Sequence, residues 1–472
     1  MRTDDLIEAF RTNALFIDCV EMTLTQRGAD EPLIFKGKGF IRQDERGRTI
    51  FRLYTTSDDV DQATYYFDVA HTEPGALLGE EKYFDLRATD KLNGTWIADR
   101  LSINPTWPVA GPPIIGGELD ELETERVWQP TRCTLKMLLF EDLKFPTNRG
   151  RALINQPISS TFNALGYKFD VYQAPDRATL TVESDTPIPH DLPTRIHETL
   201  MFVTAKAANI RVLIKEENLS QYLTFRAPPA TTRPLQAFPP LDVNDYCFPD
   251  AGPKLFEKYL AFLRKSAFSG YWHHVTYFVQ NASEASIASL DSWAVSTSVG
   301  VEGLASLIDA IGVDAHRRRV TELRKWVNEK LEREERFSPL RDRLSGLFGM
   351  MNDTRVKDRL GPLIATGHIS GDYLKAWQKL RNRQAHPKQE DLADATVNDM
   401  DRRFTLLRQT TTLMYQIVFY IIGYEGPFSD YGEQRYPVTQ YPLPPPIPKD
   451  AWDKSALLNW SPFRRNFTRR ER

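Results

Sequence analysis

Apolar residues recur at every second position through the first half of this 472-residue chain, and at every third or fourth position through the second. The two periods belong to strands and helices respectively, so the chain divides into a strand-built part and a helix-built part. The change falls across a stretch punctuated by Pro228, Pro229, Pro234, Pro239 and Pro240, where φ is fixed and backbone donors are missing. The expected fold class is α+β and multidomain. A β-rich domain spans 1–245, an all-α bundle 250–425, and a proline-rich C-terminal extension 426–472. At roughly 100–200 residues per domain, the length agrees with such a division.

In the first part, Leu33–Ile41 and Thr49–Thr55 flank the polar turn Gln43–Gly47 and predict a hairpin. Further strands are expected at Tyr65–Val69, Tyr83–Arg87, Gly94–Ile97, Cys133–Phe140, Ala178–Ser184 and Asn209–Lys215, with one helix over Pro193–Lys206. A twisted sheet, a sandwich and an open barrel all satisfy this pattern. In the second part, Leu255, Tyr259, Phe262 and Leu263 share a helical face. Ser283–Ile311 has the length of seven or eight turns. In Ala315–Phe337, Val320, Leu323, Val327 and Leu331 form a core stripe beneath dense charge. A short helix over Arg355–Ala365 is expected to break at Gly361-Pro362. Another helix covers Asp372–His386, and a long one covers Thr396–Tyr424 with Thr411 as the polar member of its stripe. The run Tyr441–Pro448 reads as polyproline II, and the tail Ser461–Arg472 sets five arginines among Phe463 and Phe467.

Charge and cysteine content narrow the function classes. The 60 basic and 63 acidic residues give a net charge of -3, so any nucleic-acid contact must come from a local patch. Three scattered cysteines make neither a disulfide framework nor a zinc site, and a cytoplasmic location is expected. The first ten residues lack the apolar core of a secretory signal. Leu413–Tyr424 is too short for the ~20 residues of a membrane span, so no membrane partner is expected. No phosphate-binding glycine loop, dinucleotide fingerprint or zinc-protease motif occurs, and no metal or cofactor is expected. His190 and His197 are expected at the surface or a helix entry, and His273-His274 beside aromatic neighbours.

The segment with chemical content is Lys379-Leu380-Arg381-Asn382-Arg383-Gln384-Ala385-His386-Pro387. Its helix packs through Tyr373, Trp377 and Leu380, which leaves Asn382 and His386 on or near the outward face, four residues apart. Pro387 disfavours helical geometry at His386, so the helix is expected to end there. A titratable His beside an Arg and an Asn suits phosphodiester cleavage: the His moves protons, the Arg stabilises developing charge and the Asn orients.

Arg381-Asn382-Arg383-Gln384-Ala385-His386 matches the Arg-x4-His motif of the HEPN superfamily, and residues 253–425 resemble that family's helical layout. The whole-chain arrangement is similar to ApeA-like anti-phage proteins. The resemblance implies a metal-independent endoribonuclease in which two protomers bring their motifs into one cleft, and the substrate's 2′-hydroxyl attacks to leave a 2′,3′-cyclic phosphate. Carried over by position, Arg381, Asn382 and His386 are the catalytic set. Lys379, Arg383 and Lys388 make the surroundings positive for RNA. The implied partners are RNA, a second copy through the helical domain, and a phage-derived trigger at the N-terminal domain. Glu302 is a possible supporting acid or a solvated one, and His316–Arg319 a phosphate grip or a solvated face. The rival reading is an inactive HEPN dimerisation or nucleotide/RNA-binding module, with the β-rich half as a ligand-binding domain.

Overall fold

The computed structural model describes residues 2–56, 79–108, 112–146, 158–229, 235, 237–242, 248–265, 271–309, 313–333, 340–352, 355–385 and 397–445. The strand expected at Tyr65–Val69 lies outside them, as do His386, Lys388 and the arginine-rich tail. The chain packs as two units, Met1–Trp293 with Pro427–Ser429, and Ala294–Gly426 with Asp430–Arg472. Patterning locates the change from strand to helix; the division between packed units falls later, because the first helices after the proline-rich stretch pack with the sheet's own helix.

The first unit opens with α1 (Thr3–Arg11), which the sequence reading did not foresee. Fourteen strands follow: β1 (Phe16–Gln26), β2 (Ile34–Gln43), β3 (Thr49–Thr55), β4 (Phe84–Asp90), β5 (Thr95–Leu101), β6 (Asn104–Thr106), β7 (Ile114–Leu119), β8 (Glu121–Val127), β9 (Cys133–Leu139), β10 (Ile158–Ala164), β11 (Tyr167–Ala174), β12 (Arg177–Ser184), β13 (Ile210–Glu217) and β14 (Ser220–Arg226). Helix α2 (Leu192–Thr204) intervenes before β13. All pair antiparallel in the order β10-β11-β12-β9-β13-β14-β8-β5-β4-β1-β2-β3-β7-β6.

One end of this sheet closes on itself. Only Ser102 and Ile103 separate β5 from β6. β5 pairs with β4, while β6 pairs with β7 at the other end of the run β4-β1-β2-β3-β7. The chain turns this corner at a register shift opposite Phe84–Leu86, with Arg100 in the left-handed region at φ 57°. The result is a six-strand ring filled by Leu24, Phe35, Ile41, Phe51, Leu53, Phe84, Leu86 and Ile115. Close strand approach sets the glycines here. A Cβ on Gly39 would lie 1.9 Å from the Arg52 carbonyl oxygen. Gly39→Ala is therefore expected to destabilise the protein by about 1–3 kcal/mol, the cost of overpacking, read from the urea midpoint.

The remaining strands carry helices. Helix α3 (Ala251–Lys265) sets Phe256 among Phe145, Phe162 and Phe169 at centroid distances of 5.9, 5.4 and 5.2 Å. Tyr259 stacks on Phe202 of α2 at 4.2 Å, and its hydroxyl pairs with Thr276 of α4 (His274–Glu284) at 2.9 Å. His273 is the buried N-cap of α4: its Nδ1 accepts from the Val275 N–H at 3.1 Å. It lies edge-on to Phe262, as its aromatic setting led one to expect. His197 sits within α2, not at its entry, with Nε2 3.0 Å from the Ala207 carbonyl; His190 is exposed.

Burial, aided by His274 and Arg195, pushes the His273 imidazole down to about 4. The unfolded chain then binds more protons than the folded one between about 4 and the ordinary value near 6.5. The contribution of neutral His273, roughly 3 kcal/mol by that interval, is present above pH 6.5 and lost as pH falls toward 4. Wild type is expected to lose stability over that window more steeply than His273→Gln, in urea titrations at pH 7 and pH 4.5. Equal slopes would contradict this.

The remaining helices are α5 (Leu290–Ser306), which enters the second unit at Ala294, and, within that unit, α6 (Val313–Arg333), α7 (Arg341–Asn352), α8 (Val356–Ala365), α9 (Gly371–Ala385) and α10 (Val397–Ile422); of the two short strands that follow, Gly426–Ser429 has its last three residues in the first unit and Val438–Tyr441 lies in the second. No strand appears between 250 and 425 among the described residues. The single long helix expected over Ser283–Ile311 is instead broken. A 3₁₀ turn at Ala285–Ile287 ends α4, and Ser289 Oγ accepts from the Ser292 N–H at 3.0 Å to start α5. The break expected at Gly361-Pro362 does not occur, since α8 runs through Pro362. On α6, Val320 is buried as expected but Leu323 is exposed; among the described residues α7 is the helix that packs most closely along it. Thr411 of α10 is buried and satisfied, donating to the Leu407 carbonyl at 3.0 Å.

Candidate functional site

Helix α9 carries the Arg-x4-His segment, and its packing decides which side chains face outward. Tyr373, Leu374, Ala376, Trp377 and Leu380 are buried, while Lys375, Lys379, Arg381 and Asn382 are exposed. The start of the helix is fixed by Gln416 of α10, whose side-chain oxygen accepts from the Ser370 N–H at 2.9 Å. Tyr373 donates to Asp430 at 2.7 Å. Burial raises the Asp430 carboxyl above its ordinary value and likewise raises the Tyr373 hydroxyl.

Two successive rungs tie α9 to α5. The Trp377 indole N–H donates to the Ser298 carbonyl at 3.2 Å, and one turn further on Arg381 Nε donates to Glu302 Oε1. Both pairs advance four residues on each helix, so the rungs follow from side-by-side helical repeat. Glu302 is thus the partner of Arg381 rather than a solvated acid. Arg381 keeps 48% of its side chain exposed, and its terminal nitrogens make no hydrogen bond among the described residues. A guanidinium oriented through Nε with its outer edge in solvent is placed to meet an anionic oxygen.

Arg383, of which an RNA contact is expected, is engaged within the helical part. It makes a bidentate pair with Asp399 in the first turn of α10, Nη1 to Oδ1 at 2.9 Å and Nη2 to Oδ2 at 2.6 Å. The bond from Arg383 holds the Asp399 carboxyl below its ordinary value. Asp399 also complements the helix N-terminus. Its pairing was missed in the sequence, though an acid in a first turn was its available signal. Lys379 is exposed and makes no ion pair or hydrogen bond among the described residues, and Asn382 lies on the same outward side. His386 and Lys388 lie outside the described residues; the described part of α9 ends at Ala385, directly before the histidine.

Among the described residues, no group of three or more His, Cys, Asp or Glu side chains is placed to hold a metal ion, and no helix is long and apolar enough to cross a membrane. Cys19 is buried, with its thiol pushed up to about 12 chiefly by desolvation, which removes it as a nucleophile near neutral pH. No family model, curated protein or solved structure matches this chain.

Proposed function

We propose that this chain is a metal-independent endoribonuclease that acts as an anti-phage, abortive-infection effector in the cytoplasm. The observation that carries the reading is the exposure of Asn382 and of the outer edge of Arg381, the latter held through Nε by Glu302 of α5, immediately before His386. In this reading the substrate's own 2′-hydroxyl attacks the adjacent phosphorus and the 5′-oxygen leaves. His386 transfers the protons, Arg381 stabilises the charge that builds on the phosphoryl oxygens, and Asn382 orients the phosphate. The fragment keeps a 2′,3′-cyclic phosphate. One chain supplies one Arg/His set, so the working cleft is taken to form between two copies through their helical parts. Lys379 and Lys388 draw in the RNA backbone, and the β-rich part restrains the nuclease until a phage-derived trigger binds.

A second reading, an inactive HEPN dimerisation or RNA-binding module, is favoured by the carboxylate partners of Arg381 and Arg383, which give both guanidiniums a structural role. RNA cleavage separates the two. Purified full-length protein with EDTA is expected to cut single-stranded or loop-containing RNA and leave cyclic phosphates. Intact RNA alongside a stable dimer, in cells as well as in the tube, would favour the module.

A further inference from the structure

The sheet unit carries a polar row that the nuclease reading does not use. In register across four adjacent strands stand Arg126 of β8, Gln221 of β14, Glu216 of β13 and Thr134 of β9. Two residues along β9, Lys136 stands opposite Ile214 on the same face. Ile214, Val212, Leu223, Phe225 and Leu122, farther along the same face, lie in the core with Leu6 and Phe10 of α1. Beyond the first turn of α1 the apolar cover ends, and a cavity of about 660 Å³ opens, lined by Arg2, Arg126, Trp128, Lys136, Glu216 and Gln221 among others. That volume is within the range of small-molecule sites, ~300–1,000 Å³.

A merely solvated sheet end would leave these polar side chains exposed. Instead Gln221 is 2% and Glu216 9% exposed, and their atoms form one connected floor. Thr134 Oγ1 donates to Glu216 Oε2 at 2.7 Å, Gln221 Nε2 to Glu216 Oε1 at 2.7 Å, and Thr3 Oγ1 to Gln221 Oε1 at 2.6 Å. Each carboxylate oxygen already holds one neutral donor and retains acceptor capacity for a second. The Lys136 and Arg2 side chains line the cavity and make no hydrogen bond or ion pair among the described residues. The lining therefore holds three cations against Asp4 and Glu216, a surplus of positive charge. At its side stands the Trp128 ring, 44% exposed and able to take a planar group.

We propose that this cavity binds a nucleotide, its phosphate held by Lys136, Arg126 and Arg2, its base stacked on Trp128, and its ribose hydroxyls donating to the Glu216–Gln221 floor. The assignment is independent of the nuclease reading. Titration calorimetry on the full-length chain tests it with AMP, ATP and inorganic phosphate as probes. At least one nucleotide is expected to bind saturably, and more tightly than phosphate. Lys136→Ala should weaken nucleotide and phosphate together by about tenfold or more, as loss of a charge-assisted contact does. Trp128→Ala should weaken the nucleotide about fivefold or more and leave phosphate unchanged, since stacking serves the base alone. Both side chains lie at the cavity wall, and unchanged circular dichroism will show that the variants fold. Saturation by neither nucleotide up to millimolar concentration overturns the proposal. So does phosphate binding as tightly as nucleotide, or binding indifferent to both substitutions.

Discussion

His386→Ala and Arg381→Ala should each abolish RNA cleavage while leaving a folded protein. Removing a general acid/base typically costs ~10²–10⁴ in rate, and removing a donor to developing charge costs roughly 10²–10³. Arg381 is half exposed and the one side-chain hydrogen bond it makes among the described residues is to a partly exposed Glu302, so its loss opens no cavity and leaves no deeply buried charge behind. Arg381→Lys is the sharper probe. It keeps the charge but loses the planar fork that bonds Glu302 through Nε and offers its outer edge to phosphate, so rescue should be poor. Glu302→Gln should reduce cleavage less than Arg381→Ala, because the guanidinium stays but is held less firmly. Asn382→Ala should fall between wild type and the two null variants. Arg383→Ala makes a poor control for phosphate binding alone. Its bidentate partner Asp399 begins α10, so the variant is expected to lower the thermal midpoint as well. Lys379→Ala, exposed and unpartnered among the described residues, is the cleaner test: RNA binding should weaken in a salt-dependent way with turnover preserved.

Glu198→Ala should destabilise the sheet unit by about 3–5 kcal/mol, the cost of breaking a buried ion pair from one side. Glu198 of α2 is fully buried; it accepts from Arg195 one turn earlier and from the His273 N–H at 2.8 Å. It therefore joins the middle of α2 to the cap of α4. Truncation takes its carboxylate away from a guanidinium that is itself 6% exposed. The double variant Arg195→Met/Glu198→Leu should recover most of the loss, since apolar side chains of similar size refill the site without a buried charge. It should remain short of wild type by about 1 kcal/mol for the lost bond to His273. Urea midpoints for the single and double variants decide this. A double variant no better than Glu198→Ala would show that the cost lies in packing rather than in the broken ion pair.

Seven of the sheet's fourteen strands and most of the long helices were readable from the sequence, whereas β1, β6, β7, β8, β10, β11, β14, α1, α4 and α7 were not. Regular alternation in Thr49–Thr55 and Ala178–Ser184 reports one buried face, and each is a strand. The step of three and four through Leu407, Thr411, Met414 and Val418 marks the buried side of α10. Strand β1 escaped because a register shift between Cys19 and Met22 sets its two halves out of phase. Ring closure escaped because Ser102-Ile103, between β5 and β6, is a corner whose far partner is β7, and pairing over such a distance leaves no local periodicity. The break before α5 was visible in retrospect as a Ser289 cap, yet the Ala/Ser/Leu composition around it masks the signal. For the site, the helical wheel correctly separated Asn382 from Trp377 and Leu380. It gave no means to pair Arg383 with Asp399, or to choose between a solvated Glu302 and a partnered one, since both depend on which helices lie side by side.

The chemistry assigned to His386 and Arg381 is tested most directly by the 3′ ends of RNA in phage-infected cells expressing the full-length chain. Mass spectrometry should find fragments ending in 2′,3′-cyclic phosphate, beyond those of control cells, with the wild-type protein. They should be absent with His386→Ala at equal expression. Equal fragments from both proteins, or growth arrest by the wild type with no such ends, would contradict the account.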